Sequence, residues 1–142
     1  MKSLSQAGMS IIEILIALTL LGLAGTFVVG QVYDNLKEGE IKSAKIQIKG
    51  LGDRLKEFRR DCGFYPDTEQ GLDALVNKPT NGRECKRYAP NGYIDGGKLP
   101  DDPWGAPFVY ESNGTDYTII SYGNDNAEGG EGADADLSSK DK

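Results

Sequence analysis

The chain has 142 residues, 22 acidic against 16 basic, no histidine and a net charge of −6. Beyond an apolar stretch near the N-terminus, that length leaves one small domain with a modest core and no room for a multi-domain enzyme. The lack of histidine excludes Cys/His nucleophiles and Cys/His zinc sites, and no Lys/Arg run is long enough to follow a phosphate backbone, so no nucleic-acid partner is expected.

Residues 1–8, MKSLSQAG, form a polar leader with Lys2 and the α-amino group positive and no acid. Positive charge before an apolar run keeps that end in the cytoplasm. The run that follows, residues 9–30, has about the ~20 apolar residues that a membrane-crossing helix needs. Glu13 interrupts it, and an ionised carboxylate at the centre of such a helix costs about 2.5–3.5 kcal/mol on insertion scales. The junction between Gly8 and Met9 suits a peptidase that removes only the leader, because the apolar helix would survive the cut. The new ammonium at Met9 is then a fitting partner for Glu13, within one chain or in an adjacent copy. The second geometry would set the axial register between subunits. Gly22-Leu23-Ala24 offers the competing pattern of a secretory signal peptide.

Beyond Gly30 the pattern stays helical to about Cys62. Ile41, Ala44, Ile48, Leu51, Leu55, Phe58 and Cys62 recur at spacings of three and four residues, which predicts one buried face. Lys42, Lys45, Lys49, Asp53, Lys56 and Arg60 form the opposite, solvated face. A helix continuous from Met9 to about Asp61 would be roughly 80 Å long and outrun its own domain. Its glycines at 22, 25, 30, 39, 50 and 52 each cost about 1 kcal/mol relative to alanine. Gly63 is placed as a left-handed C-terminal cap.

The segment FYPDTEQGLDALV predicts a turn and a second, short helix, capped by Asp67 with Gln70 and burying Leu72, Leu75 and Val76. A Pro/Gly/Asn-rich loop carrying Cys85 follows. Pairing Cys85 with Cys62 would pin this loop to the end of the long helix, imply an oxidising compartment and contribute roughly 3 kcal/mol in the chain-entropy model. Residues 99–121 predict a small antiparallel sheet, with strands at 108–111 and 116–121 joined through Asn113-Gly114. Trp104 is its expected large core residue. Asn113-Gly114-Thr115 also matches a glycosylation acceptor, but a hairpin turn accounts for the same residues.

The terminal stretch SYGNDNAEGGEGADADL spaces oxygen-donor side chains with glycines. That composition fits either a hard-cation loop or a disordered, solvating tail. The fixed spacing of an EF-hand is missing. No G-x-S-x-G, no phosphate loop and no catalytic constellation occurs, so an enzyme is not expected.

Four stretches together resemble the type IV pilin-like family and, within it, the major pseudopilins of type II secretion systems. They are Gly8-Met9-Ser10-Ile11-Ile12-Glu13; Tyr65-Pro66 with Thr68-Glu69-Gln70-Gly71-Leu72 and Ala74-Leu75-Val76; Leu99-Pro100-Asp101-Asp102-Pro103-Trp104-Gly105; and Ser121-Tyr122-Gly123-Asn124-Asp125 with Glu128-Gly129-Gly130-Glu131-Gly132. The resemblance implies an α+β, type IV pilin-like fold in which a long N-terminal helix packs on a short helix and a small antiparallel sheet closed by a C-terminal calcium loop. It implies three parts: a leader, 1–8, removed by a prepilin peptidase; a hydrophobic helix, 9–30, first a membrane span and then fibre core; and a periplasmic domain, 31–142. The amine of Met9 would be methylated, and Glu13 would pair with Met9 of a neighbour during assembly. Mature subunits would leave the inner membrane and stack into a helical homopolymer through an inner-membrane assembly platform, with minor pseudopilins, and push secreted exoproteins outward. Ca²⁺ would be held by Asp125, Asp136 and Asp134 with the carbonyls of Tyr122 and Ala127.

The chain departs from the family pattern in having Met9 where phenylalanine is usual, Gly30 where a helix-kinking proline is common, and the Cys62/Cys85 pair. The alternatives are a surface type IV pilin and a membrane-anchored periplasmic calcium-binding module that never polymerises.

Overall fold

The structure, a computed structural model, describes residues 10–141, apart from the side chains of residues 27 and 28. Its main element is a single α-helix, α1 (Ile11–Cys62), unbroken across all six of its glycines. The chain divides into two compact units, Met1–Lys37 and Glu38–Lys142.

In the first unit every described side chain is exposed, including Ile11, Leu15, Leu18, Leu21 and Val32. By length and composition the helix is able to cross a membrane. Leu and Ile side chains exposed on every side of a helix require a bilayer or neighbouring helices around them.

In the second unit the predicted stripe of α1 forms one wall of the core. Ala44, Ile48, Leu51, Leu55 and Phe58 are buried and Ile41 and Cys62 partly so, whereas Lys42, Lys45, Lys49, Asp53, Lys56 and Arg60 are exposed. The helix stops at Gly63, whose φ of +85° is the left-handed value a C-terminal cap requires and whose N–H bonds the Arg59 carbonyl at 2.7 Å. Cys62 and Cys85 are joined in a disulfide, their Cα atoms 4.8 Å apart. This bond ties the loop that follows to the helix end.

The expected second helix is reduced to one 3-10 turn, Leu72–Leu75. Asp67 and Gln70 do bond reciprocally: the Gln70 N–H donates to Asp67 Oδ1 at 2.8 Å and the Asp67 N–H to Gln70 Oε1 at 3.2 Å. Gly71, at φ +62° and ψ −171°, then turns the chain out of helical geometry, so this box closes a turn instead of starting an α-helix. Leu72, Ala74 and Leu75 are buried and Val76 only partly. The buried Gln70 amide also donates to the carbonyls of Asn81 and Arg83, which anchors the irregular loop.

The sheet has order β1-β2-β3, with β1 Val109–Ser112, β2 Tyr117–Ser121 and β3 Leu137–Ser138, all antiparallel. The β1–β2 hairpin has Val109 opposite Ile120 and Ser112 opposite Tyr117. Its turn uses Asn113 Oδ1 as acceptor for the N–H groups of Thr115 and Asp116. Among the described residues no regular strand precedes Val109; residues 99–108 lead in through a turn at Trp104-Gly105. Trp104 packs partly buried at the edge of the core, because its indole N–H donates to the Glu40 carboxylate at 3.0 Å. The centre is Phe58, fully buried and in edge or tilted contact with the rings of Phe64, Tyr88 and Tyr93.

Candidate functional site

Two regions carry the residues singled out from the sequence. Gly8 and Met9 lie outside the described residues. Glu13 lies in the first turn of α1, where its carboxylate accepts the Ser10 N–H at 3.2 Å and Ser10 Oγ accepts the Ile12 N–H at 3.4 Å. The Glu13 half is that of a capping box on Ser10-Ile11-Ile12-Glu13, while the Ser10 hydroxyl caps the Ile12 N–H in place of the Glu13 N–H. The S-x-x-E signal stands in the sequence, and it assigns Glu13 a second task in satisfying the free N–H groups of the helix end. The acid also sits at the positive end of the helix dipole, which favours a carboxylate there.

The second region is the loop between β2 and β3. It folds back so that Leu137, only 7% exposed, enters the core. Gly123 opens the loop at φ +68°; a Cβ there would lie 2.7 Å from the Ala133 carbonyl and 2.9 Å from that of Ala135, so the chain crosses itself at a point only glycine fits. The Asn124 N–H bonds the Ala133 carbonyl at 2.9 Å, and Asn124 Nδ2 donates to Asp134 Oδ1 at 2.9 Å. A short 3-10 turn, Gly132–Asp134, precedes β3.

The acids of this loop have different environments. Asp125 Oδ1 accepts the Ala127 N–H at 3.1 Å in an Asx turn, and Tyr122 and Ala127 flank it in the chain. Asp134 is engaged by Asn124. Asp136 Oδ2 accepts the Gly129 N–H at 3.0 Å, while its Oδ1 is buried without a hydrogen-bond partner among the described residues. Three acidic side chains do not converge into a metal-holding group among the described residues, and Asp134 gives one of its oxygens to Asn124. A hard cation in this loop would therefore rest on two carboxylates, Asp125 and Asp136, plus carbonyl oxygens. The solitary buried oxygen of Asp136 fits such a role, since a buried carboxylate oxygen without a partner is costly.

A third set of residues, quoted above only as parts of family stretches or, for Trp104, as core, holds the base of this loop. Asp102 is buried, and its Oδ1 accepts the N–H groups of Trp104 at 3.1 Å and Ala106 at 2.8 Å, while its Oδ2 accepts the Ser121 hydroxyl at 2.7 Å. Asp102 belongs to Asp101-Asp102-Pro103-Trp104-Gly105, and the only hint of its burial in the sequence is an acid placed just before a Pro-x-Gly turn.

Residues 31–140 match the family described as type II secretion system (T2SS), protein G. The chain belongs to this family. It is 38% identical over 139 residues to the type II secretion system core protein G of Pseudomonas aeruginosa, covering 96% of both chains. It is also 38% identical over 138 residues to the protein of the same name from Vibrio cholerae, covering 96% of this chain and 92% of the other. Its fold is similar to the crystal structure of the major pseudopilin from the type 2 secretion system of enterohaemorrhagic Escherichia coli, with a TM-score of 0.63 and 34% identity, covering 74% of this chain and 90% of that one. As a member of the protein G family the chain is a structural pseudopilin of type II secretion and not an enzyme. That membership sets aside the surface-pilin alternative.

Proposed function

We propose that this pseudopilin is inserted in the inner membrane through residues 9–30, is cut between Gly8 and Met9 by a prepilin peptidase that also methylates the new amine, and then polymerises into a periplasmic fibre. The observation that carries this reading is the exposed apolar surface of α1 before Lys37. Such a surface is stable in a bilayer, and equally stable once it packs against the same helix of neighbouring subunits. Glu13 then has two partners in turn: the Ser10 N–H of its own helix start, and the Met9 ammonium of the adjacent subunit. Fibre growth through an inner-membrane platform, with minor pseudopilins at its tip, would move folded exoproteins through the outer membrane.

The same reading includes Ca²⁺ in the β2–β3 loop. Asp125 and Asp136 would hold it with backbone carbonyls, those of Tyr122 and Ala127 among them, and Asp134 stays with Asn124. The cation would neutralise the buried Asp136 oxygen and fix the loop that delivers β3 to the sheet.

Mass spectrometry of the mature N-terminus tests the processing step. A chain beginning at methylated Met9 is expected; an intact Met1, or a cut after Ala24, overturns it. Deleting the gene should abolish secretion of a set of folded proteins and leave surface piliation unchanged.

A further inference from the structure

One face of the globular unit collects positive charge that is only partly answered among the described residues. Lys42, Lys45 and Lys49 follow one another along the exposed side of α1, and none makes an ion pair among the described residues. Lys56 continues the row and is bonded to Asp53 at 3.0 Å. Beside the row runs a groove of about 340 Å³, with Lys45, Lys49 and Lys56 on its helix side and Tyr117 and Ser139 on its sheet side. Gly52, also in the lining, makes room for the Tyr117 hydroxyl, which would lie 2.8 Å from a Cβ there. That hydroxyl has no hydrogen-bond partner among the described residues, and Ser139 Oγ accepts the Ile119 N–H, which leaves its proton free to donate. Asp141, the one acid in the lining, is turned to the Ser138 N–H at 2.7 Å. Three lysines against one acid leave the groove net cationic, and with the Tyr117 and Ser139 hydroxyls as neutral donors it is suited to carboxylates.

The same chain carries the complement. Residues 124–136 hold five acids and no Lys or Arg. Among these, Glu128 and Glu131 are exposed, and their carboxylates make neither a hydrogen bond nor an ion pair among the described residues. They are also free of any part in the proposed cation site.

We infer that the lysine groove of one subunit receives the β2–β3 loop of a second copy, with Glu128 and Glu131 as the incoming carboxylates. The inference rests on the fibre reading, because it needs copies held side by side. Exposed pairs of this kind add little affinity each, but they disfavour wrong registers, where like charges would meet. The groove therefore acts on which neighbour docks and where, and its effect weakens as salt rises.

Fibres grown from a mixture of isotope-labelled and unlabelled full-length subunits, then treated with a zero-length carbodiimide linker, provide the test. Peptides joining Lys45 or Lys49 of one isotopic form to Glu128 or Glu131 of the other are expected. The double substitution Lys45→Glu with Lys49→Glu should lower fibre yield about tenfold, and adding Glu128→Lys with Glu131→Lys should restore it. Fibres that form but give only links within one isotopic form, or a charge swap that fails to restore yield in a folded chain, overturn the inference and leave the fibre reading intact. Failure of the unsubstituted chain to form fibres at all overturns both.

Discussion

Ser121, at the last residue of β2, donates its hydroxyl to the buried carboxylate of Asp102 at 2.7 Å. The bond joins the turn at Trp104-Gly105 to the point where the acidic loop leaves the sheet. Because the same carboxylate also takes the Trp104 and Ala106 N–H groups, its removal strands three donors at once. Asp102→Ala is expected to destabilise the domain by about 3 kcal/mol or more, and Ser121→Ala by about 1–2 kcal/mol. Thermal unfolding followed by circular dichroism checks the order; equal effects would mean that the carboxylate matters only through Ser121.

The partnerless Asp136 oxygen gives the cation reading a measurable consequence. A ligand present at 100 times its Kd stabilises the native state by about 2.7 kcal/mol, so EGTA should lower the melting temperature of the detergent-solubilised chain. Asp136→Ala and Asp125→Ala should each abolish that shift. Glu128→Ala, outside the donor set, should keep it. A melting temperature indifferent to chelation in the unsubstituted chain would remove the cation from this loop.

Glu13 is held by Ser10 within its own helix, so its loss should act on assembly more than on insertion. Glu13→Ala gives up one exposed hydrogen bond at the helix start, about 0.5–1.5 kcal/mol, small beside the burial of the apolar helix in a bilayer. The variant should be inserted and processed normally yet give no fibre, as read by membrane fractionation and by sheared-fibre yield. Normal fibre yield would count against the pairing with Met9 of a neighbour.

Tyr110 sets an alkaline limit. Burial is the largest cause pushing its hydroxyl up to about 12 from the ordinary 10.0, and the hydroxyl donates to the Pro66 carbonyl at 2.8 Å. Above pH 10 the unfolded chain releases this proton while the folded chain keeps it, so stability falls as pH rises from about 10 to 12. Denaturant unfolding across that window, with tyrosinate absorbance as the titration signal, should show the decline. Tyr110→Phe should be less stable at neutral pH and lose stability less steeply above pH 10.

Several features follow from near-neighbour patterns and are legible without the fold. The three-and-four spacing from Ile41 to Cys62 specifies the buried face of α1, because a helix brings those positions onto one side whatever they meet. Asn113-Gly114 specifies the hairpin, and the glycine after Cys62 the helix end. The apolar run with its single acid marks a segment that cannot rest in water, and S-x-x-E at Ser10 carries the cap of the helix start as well.

Other features depend on partners far along the chain, and spacing does not encode them. β3 has two residues and no periodicity of its own; it exists because Ser121 and Ile120 offer Leu137 and Ser138 a sheet edge. Trp104 stays partly exposed because its N–H is bonded to Glu40, 64 residues away. The short helix gives way to a 3-10 turn at Gly71, and which acids of the loop are free, bonded or buried is decided by Asn124 and Gly129. The sequence alone determines which segments must be covered. Only the tertiary structure decides what covers them, because burial and hydrogen-bond satisfaction are properties of pairs brought together by folding.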